Sequence, residues 1–527
     1  MRTVLFLVLQ VLLVTSPVIA TSCDDIRPLQ LPIKDIQVLP KIPDSFMRGI
    51  QASIGTPPQD IVVLPWPSVI PYALIKTDPL PRLNRELNNT WIYDQQAYCD
   101  STIIWNDLIC DVRRGNLYEE NNSSSSDKAS DMVVAGGAHV ETQGLGAELG
   151  IHNLLTSSLP VTEIITLEST QALLDFPVGI PRLNWDHGYT ILHAMGMGTN
   201  STVLNALVQS KQIGSRVWSI FWGRMWVDEA SALDGSIVFG GFDQQKTIGH
   251  NYTQPLDFSD TTGCWTGMKV HISSITLNNN DGNDSDLLPP NTSIDTCIVP
   301  QRQLLLEAPH SVVDAFEEVT GMSNHGISYG LHWDAFLYDA EGSFDGDMTI
   351  SFTSGLEIRV PNSQYLVPYV DIDRNGSRIF NNTERELLIN GLVDQPATLG
   401  RYFLTAAYLM VDLDANSFTL WQANPASGST LVSVTGAEAQ CGNESISGTG
   451  SAGPADSAGS SSSPSPTPRL SEWGQFTSFV GLVGERSPNQ CRSRLVIIHM
   501  AHYLIINIQV KRITYHLKSW MARNRFR

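Results

Sequence analysis

The chain has 527 residues, 42% of them hydrophobic, long enough for two large domains plus a tail. Its formal net charge is −20, and ten positive charges sit at the ends, Arg2 and nine Lys/Arg after Glu485, so the body between them stands at −30. So acidic a body argues against nucleic acid or an anionic membrane as partner; it suits either an acidic extracellular medium or simply a solvated surface.

In chain order, residues 1–20 read as a secretory signal: Arg2, the apolar run Val4 to Val14, then Val18-Ile19-Ala20, with cleavage expected after Ala20. Secretion makes disulfides available. The seven cysteines (Cys23, Cys99, Cys110, Cys264, Cys297, Cys441 and Cys491) are odd in number, so one is free or pairs with another chain. From about Leu31 to Ala423 short β-branched runs such as Ile61-Val62-Val63, Ser236 to Phe239 and Met348 to Phe352 alternate with Gly, Asn, Asp and Pro turns. Apolar residues at i, i+3 and i+4 predict short helices over Thr202–Lys211 and Ser311–Val319. The body is therefore expected to be all-β with helical accents.

Residues 426–470 hold a Ser/Pro/Gly-rich stretch, Asn443 to Pro468 at its centre, that cannot bury a core and resembles an O-glycosylated stalk. Residues 471–527 are a basic tail whose apolar run, Leu495 to Val510, includes His499, His502 and Asn507. Two readings of the tail stand: a membrane or wall attachment, or a non-native end from an altered reading frame. Sequons begin at Asn88, Asn121, Asn122, Asn200, Asn251, Asn283, Asn291, Asn375, Asn381 and Asn443, which with the signal point to a glycosylated surface.

Ile54-Gly55-Thr56-Pro57-Pro58-Gln59 resembles the first strand and turn of the pepsin-type aspartic peptidases, and the likeness continues over most of residues 45–425. Asn89-Thr90-Trp91-Ile92 is similar to that family's tryptophan strand, and His193 to Gly198 to its Ile-Leu-Gly-Leu-Gly segment. Asp234 to Asp243 resembles its Gly-Gly-x-Asp strand, and Thr398 to Leu404, with Tyr408 and Val411-Asp412, its last strand and helix. The resemblance implies two β-barrel-like lobes around a cleft, an N-terminal lobe over 45–245 and a C-terminal lobe over 246–425. It also implies disulfides in a small Cys99–Cys110 loop and between Cys264 and Cys297. In the family each lobe threads an apolar-Gly strand past its catalytic loop, and Met195-Gly196 and Leu399-Gly400 look like those two strands. Glycine is favoured there because backbones approach closely.

The family's chemistry needs two carboxylates sharing one proton, one activating water and the other polarising the scissile carbonyl. Counted from the Ile54 run, the first Asp position is Trp66, followed by Pro67 and Ser68. Counted back from Trp91 it is Asn84, unless Ser68 to Arg85, an insertion or retained intron, is taken out. In the second half Cys297 to Pro309 gives the register and puts Pro300 at the second Asp position. Asp295, in Asp295-Thr296-Cys297, is the weaker catalytic alternative and is expected on the preceding turn. Trp66 is expected in packing, with a place in a ligand cleft as its other reading. The family's flap tyrosine is missing, since no Tyr falls between Tyr118 and Tyr189. The matching region also begins about 25 residues after the signal, too soon for a full propeptide.

Asp371 to Gly376 copies half of a calcium loop but has Asn382 where the last Glu belongs, so a turn between strands is expected. No metal-binding spacing is found among the twelve His, and neither metal nor cofactor is expected. The expectation is a secreted or cell-surface monomeric glycoprotein that has lost both catalytic carboxylates and binds a peptide, protein or glycan. The alternative is an active aspartic endopeptidase with a non-standard pair.

Overall fold

Alternating burial sets the first strand: in Leu29–Gln37, Leu31, Ile33 and Ile36 are buried. The structure is a computed structural model that describes residues 26–67, 88–94, 99, 104, 106–129, 159–168, 170–180, 192–227, 230–259, 264–392 and 397–434. The predicted signal, the Ser68–Arg85 stretch, most of the stalk, the tail, Cys23, Cys441, Cys491 and Asn443 lie outside those residues.

Six strands close a ring in the first lobe. Phe46–Ile54 pairs with Gln59–Trp66, which runs parallel to His193–Gly196, which pairs in turn with Thr90–Trp91. Thr90–Trp91 runs parallel to Leu173–Ile180, that strand pairs with Leu159–Leu167, and Leu159–Leu167 returns to Phe46–Ile54 with Leu167 opposite Ala52. Closure leaves these strands without a free edge. The second lobe holds an open sheet through Lys269–Asn278, Ile294–Ile298, Ala397–Leu399, Leu306–Pro309 and Ile389–Leu392. A four-stranded sheet built on Leu366–Ile372 and Arg378–Leu387 accompanies it. Between the two runs an antiparallel sheet in the order Thr247–Pro255, Ser417–Ala423, Ala407–Asp412, Val217–Arg224, Leu233–Phe239, Leu29–Gln37. The fold is all-β and bilobal, a barrel and a half-barrel.

The described strands run past both expected lobe bounds, and one helix was not expected. Leu29–Gln37, within the strand-like stretch expected from about Leu31 but ahead of the lobe bound at 45, pairs with both Leu233–Phe239 and Phe46–Ile54. The body also continues past 425, because Leu431–Ser433 pairs with Gly241–Asp243. A third helix, Asp107–Arg114, escaped sequence reading: its DLICDVRR run is half charged, and its limits are set by the Asn106 cap and left-handed Gly115. The two expected helices form as Thr202–Gln209, capped by Ser201, and His310–Thr320, ended by left-handed Gly321.

Candidate functional site

Each lobe threads one glycine past a loop. A Cβ on Gly196 would stand 2.2 Å from the Asn89 carbonyl oxygen, and one on Gly400 would stand 2.2 Å from that of Leu304. The strands around them repeat. Gln59–Trp66 and Ile294–Ile298 run parallel to the glycine strands, and Thr90–Trp91 and Leu306–Pro309 pair with them on the other side, antiparallel. The connecting loops differ in length: Trp66 to Thr90 covers 24 positions, Ile298 to Leu306 only 8. The extra sequence thus falls between Trp66 and Thr90 in the first lobe.

Trp66 stands opposite Gly196, and its carbonyl accepts from Met197 N–H at 2.9 Å. The indole is 1% exposed and belongs to the hydrophobic core. In the second lobe Ile298 is opposite Leu399 and Val299 N–H donates to the Leu399 carbonyl at 2.8 Å. By strand register Val299 reaches the Gly400 level, and Pro300, also buried, comes one residue later. Proline has no N–H with which to extend the ladder. Neither Val299 nor Pro300 carries an acid.

Asp295 lies on the Ile294–Ile298 strand rather than on a turn, paired with His271. Its side chain is 60% exposed and meets Lys269 Nζ at 2.7 Å and His271 Nδ1 at 2.6 Å. The Lys269 ammonium, then the His271 ring, hold its carboxyl below the usual range. Cys99 is bonded to Cys110 and Cys264 to Cys297. Asn121, Asn122, Asn200, Asn251, Asn283, Asn291 and Asn375 are exposed and Asn381 half-buried. Asn88 differs from the other sequons: it is 6% exposed, and its Oδ1 accepts from Asn200 N–H at 2.9 Å. Asp373 caps the turn at Asn375 and Ser377, between two strands.

Several buried carboxylates hold the fold. Glu163 accepts from Tyr118 and Ser125, Glu307 from Thr398, and Asp412 caps Asp414 and Ala415. Glu386 anchors a chain that sequence reading missed. The Trp226 indole donates to Tyr402 Oη at 3.0 Å, Tyr402 Oη lies 2.5 Å from His332 Nε2, and His332 Nδ1 lies 2.5 Å from Glu386 Oε2. Ser328 closes on the other Glu386 oxygen. A neutral imidazole with its proton on Nδ1 satisfies every link in one direction. His332 and Glu386 are 54 positions apart, and His332 and Tyr402 are 70, distances that no local motif spans.

Beside this chain lies a cavity of about 30 Å³, lined by Arg48, Trp222, His332, Arg378, Arg401 and Tyr402 among others. Arg401, next to the threaded Gly400, is 2% exposed and lies over the Trp222 ring at 5.5 Å. Burial pulls its pKa down to about 10; Tyr402 opposes the shift and Arg113 adds to it. The one signal for it in the sequence is a charge inside the apolar run Thr398 to Leu404.

The profile of the eukaryotic aspartyl protease family matches residues 88–423, more than half of the chain. The chain belongs to that family. Among members of the aspartyl protease family, Secreted aspartic protease 8 of Candida albicans is 23% identical over 39% of this chain and 42% of its own length. Candidapepsin-3 of Candida albicans (strain WO-1) is 22% identical over 66% of this chain and 77% of its own. The probable aspartic-type endopeptidase opsB of Aspergillus oryzae is 26% identical over 48% of each. The chain thus spans under half the length of the first of these curated relatives. A crystal structure of the aspartic proteinase from Irpex lacteus is similar at 12% identity with a TM-score of 0.46, covering 75% of this chain and 98% of that one.

Proposed function

We propose that this aspartyl protease family member has lost peptidase chemistry and acts by binding, as a secreted or cell-surface glycoprotein that holds a peptide, protein or glycan. The observation that carries the reading is the pairing of Trp66 with Gly196 inside an intact threaded barrel, where the family's mechanism needs an acid. The second lobe supports it, with Val299 and Pro300 at the matching place, and so do the carboxylates that serve as structural acceptors. Two carboxylates sharing a proton are what water activation requires, and a tryptophan with a proline supplies none. Two disulfides, exposed sequons and relatives named as secreted support an extracellular place.

The test is digestion of denatured casein by the full chain across pH 3–6, with and without a transition-state-analogue inhibitor of aspartic peptidases. No cleavage is expected. Inhibitor-sensitive cleavage would overturn the reading and revive an endopeptidase with a non-standard pair. The same culture reads location: the protein is expected glycosylated in the medium or at the cell surface, and reduced, unglycosylated protein in the cytosol would count against secretion.

A further inference from the structure

A buried cation normally has an acceptor, because leaving one unpaired costs more than the same group loses when it is paired. Arg401 departs from that rule. Among the described residues no carboxylate or carbonyl accepts a hydrogen bond from its guanidinium, and its Nη1 is buried without a partner. It lies over the Trp222 ring, which offers a face and no lone pair, and neither Tyr402 nor Arg113, which also act on it, accepts a hydrogen bond from it. The indole Nε1 of Trp222 is itself a buried donor without an acceptor. Both residues line the same cavity.

The rest of the lining repeats the imbalance. No Asp or Glu lines it, whereas Arg48, Arg378 and Arg401 do. Arg48 is 8% exposed, donates to the Trp222 and Leu233 carbonyls at 3.2 and 2.9 Å, and has its nearest carboxylate, Asp234, at 3.9 Å. Arg378 is held by both oxygens of Asp35 at 2.9 and 3.0 Å, and Asp35 and Asp234 both act on Arg48, which leaves Arg401 as the lining arginine without a carboxylate among the described residues. The Tyr402 hydroxyl and the His332 ring are engaged with each other and leave Arg401 unanswered. A cavity of about 30 Å³ is larger than one water needs and so leaves room for a small polar group.

We propose that this cavity is a receptor for one carboxylate, accepted by the Arg401 guanidinium and the Trp222 indole. Carboxylate is favoured because a planar, two-oxygen acceptor matches the guanidinium fork. The proposal deepens the binding role by naming its ligand chemistry: a peptide carrying a free carboxylate, or a small free acid.

The full chain is titrated with sodium acetate and, separately, with acetamide, reading the thermal midpoint and the heat of binding. A dipeptide with a free C-terminus and the same dipeptide amidated form the second pair. Acetate is expected to raise the midpoint by about 2 °C at saturation, and acetamide not at all. The free dipeptide binding at least tenfold tighter than acetate identifies a peptide terminus as the source, and equal affinity identifies a free acid. Arg401→Met is expected to abolish the acetate response and to match or exceed the ligand-free wild type in stability, since it removes an uncompensated buried charge. Should that variant fail to fold, Arg401→Lys, which keeps the charge but not the fork, is expected to weaken acetate at least fivefold. A wild-type midpoint blind to acetate, an equal response to acetamide, or an acetate response undiminished in the variants overturns the proposal. The casein assay is run on the same preparation, so cleavage would sink the peptidase-loss reading without touching this one.

Discussion

Trp66, set opposite Gly196 by strand register, is a packing residue. An indole at 1% exposure inside the core contributes several kilocalories through area removed from water, so the position now holds the barrel together. If both acids are lost as proposed, an acid placed at Trp66 is expected to harm the protein without creating peptidase activity. Trp66→Asp should cost about 3 kcal/mol or more, because it opens a void and buries a carboxylate without a partner. It should leave casein uncut, since the second lobe supplies no second acid. Urea unfolding gives the first number and the digestion assay the second; a stable, cleaving variant would contradict both. Counting from Ile54-Gly55-Thr56-Pro57-Pro58-Gln59 singles out Trp66 in the sequence. It could not find Arg401 as a site, because what makes that residue unusual is an acceptor its surroundings lack.

The two glycine-centred strands show at the scale of elements what was legible and why. Met195-Gly196 and Leu399-Gly400 were recognisable because a close backbone approach tolerates one residue type, and the structure puts a carbonyl oxygen 2.2 Å from each missing Cβ. The Asp107–Arg114 helix was not legible, because its limits depend on a cap, a disulfide and a left-handed glycine more than on an apolar stripe. The expected lobe bounds of 45 and 425 left out Leu29–Gln37 and Leu431–Ser433, because their partners Leu233–Phe239 and Gly241–Asp243 lie far along the chain. Gly196→Ala and Gly400→Ala are each expected to cost about 3 kcal/mol or more, since backbone must move to admit a methyl group. Gly326, whose added Cβ would meet nothing within 4 Å, is the control, and Gly326→Ala should cost under about 1 kcal/mol. Urea midpoints at unchanged slope decide it; equal costs at all three positions would remove the argument for threading.

For the whole molecule, the acidic surface suggested life in acid, but the core points the other way. His193, fully buried on its glycine strand, accepts from Tyr93 N–H at Nδ1 (3.0 Å), and its Nε2 lies 2.8 Å from the Asn116 carbonyl. Burial, with a further push from Arg114 against the help of the carbonyl, drives its pKa to about 3. The folded value is depressed below the ordinary value of 6.5, so the unfolded chain takes up the proton first. The stability from a neutral His193 is fully present above pH 6.5 and is lost at about 1.4 kcal/mol per pH unit as pH falls toward 3. His193→Gln, whose amide can make both hydrogen bonds, is expected to flatten that acid limb while changing little at pH 7. Thermal midpoints from pH 7 to pH 4 test it, and identical slopes in the two proteins would refute the assignment.

The strand order also dictates when this chain can become a protein during synthesis. His193–Gly196 is the middle strand between Gln59–Trp66 and Thr90–Trp91, so those two wait unjoined for about a hundred residues of translation. Thr247–Pro255 waits longer still: its neighbour in the interlobe sheet is Ser417–Ala423, at the far end of the body. A nascent chain therefore carries open sheet edges until its last strands arrive, and those edges are exposed to pairing with other chains in the meantime.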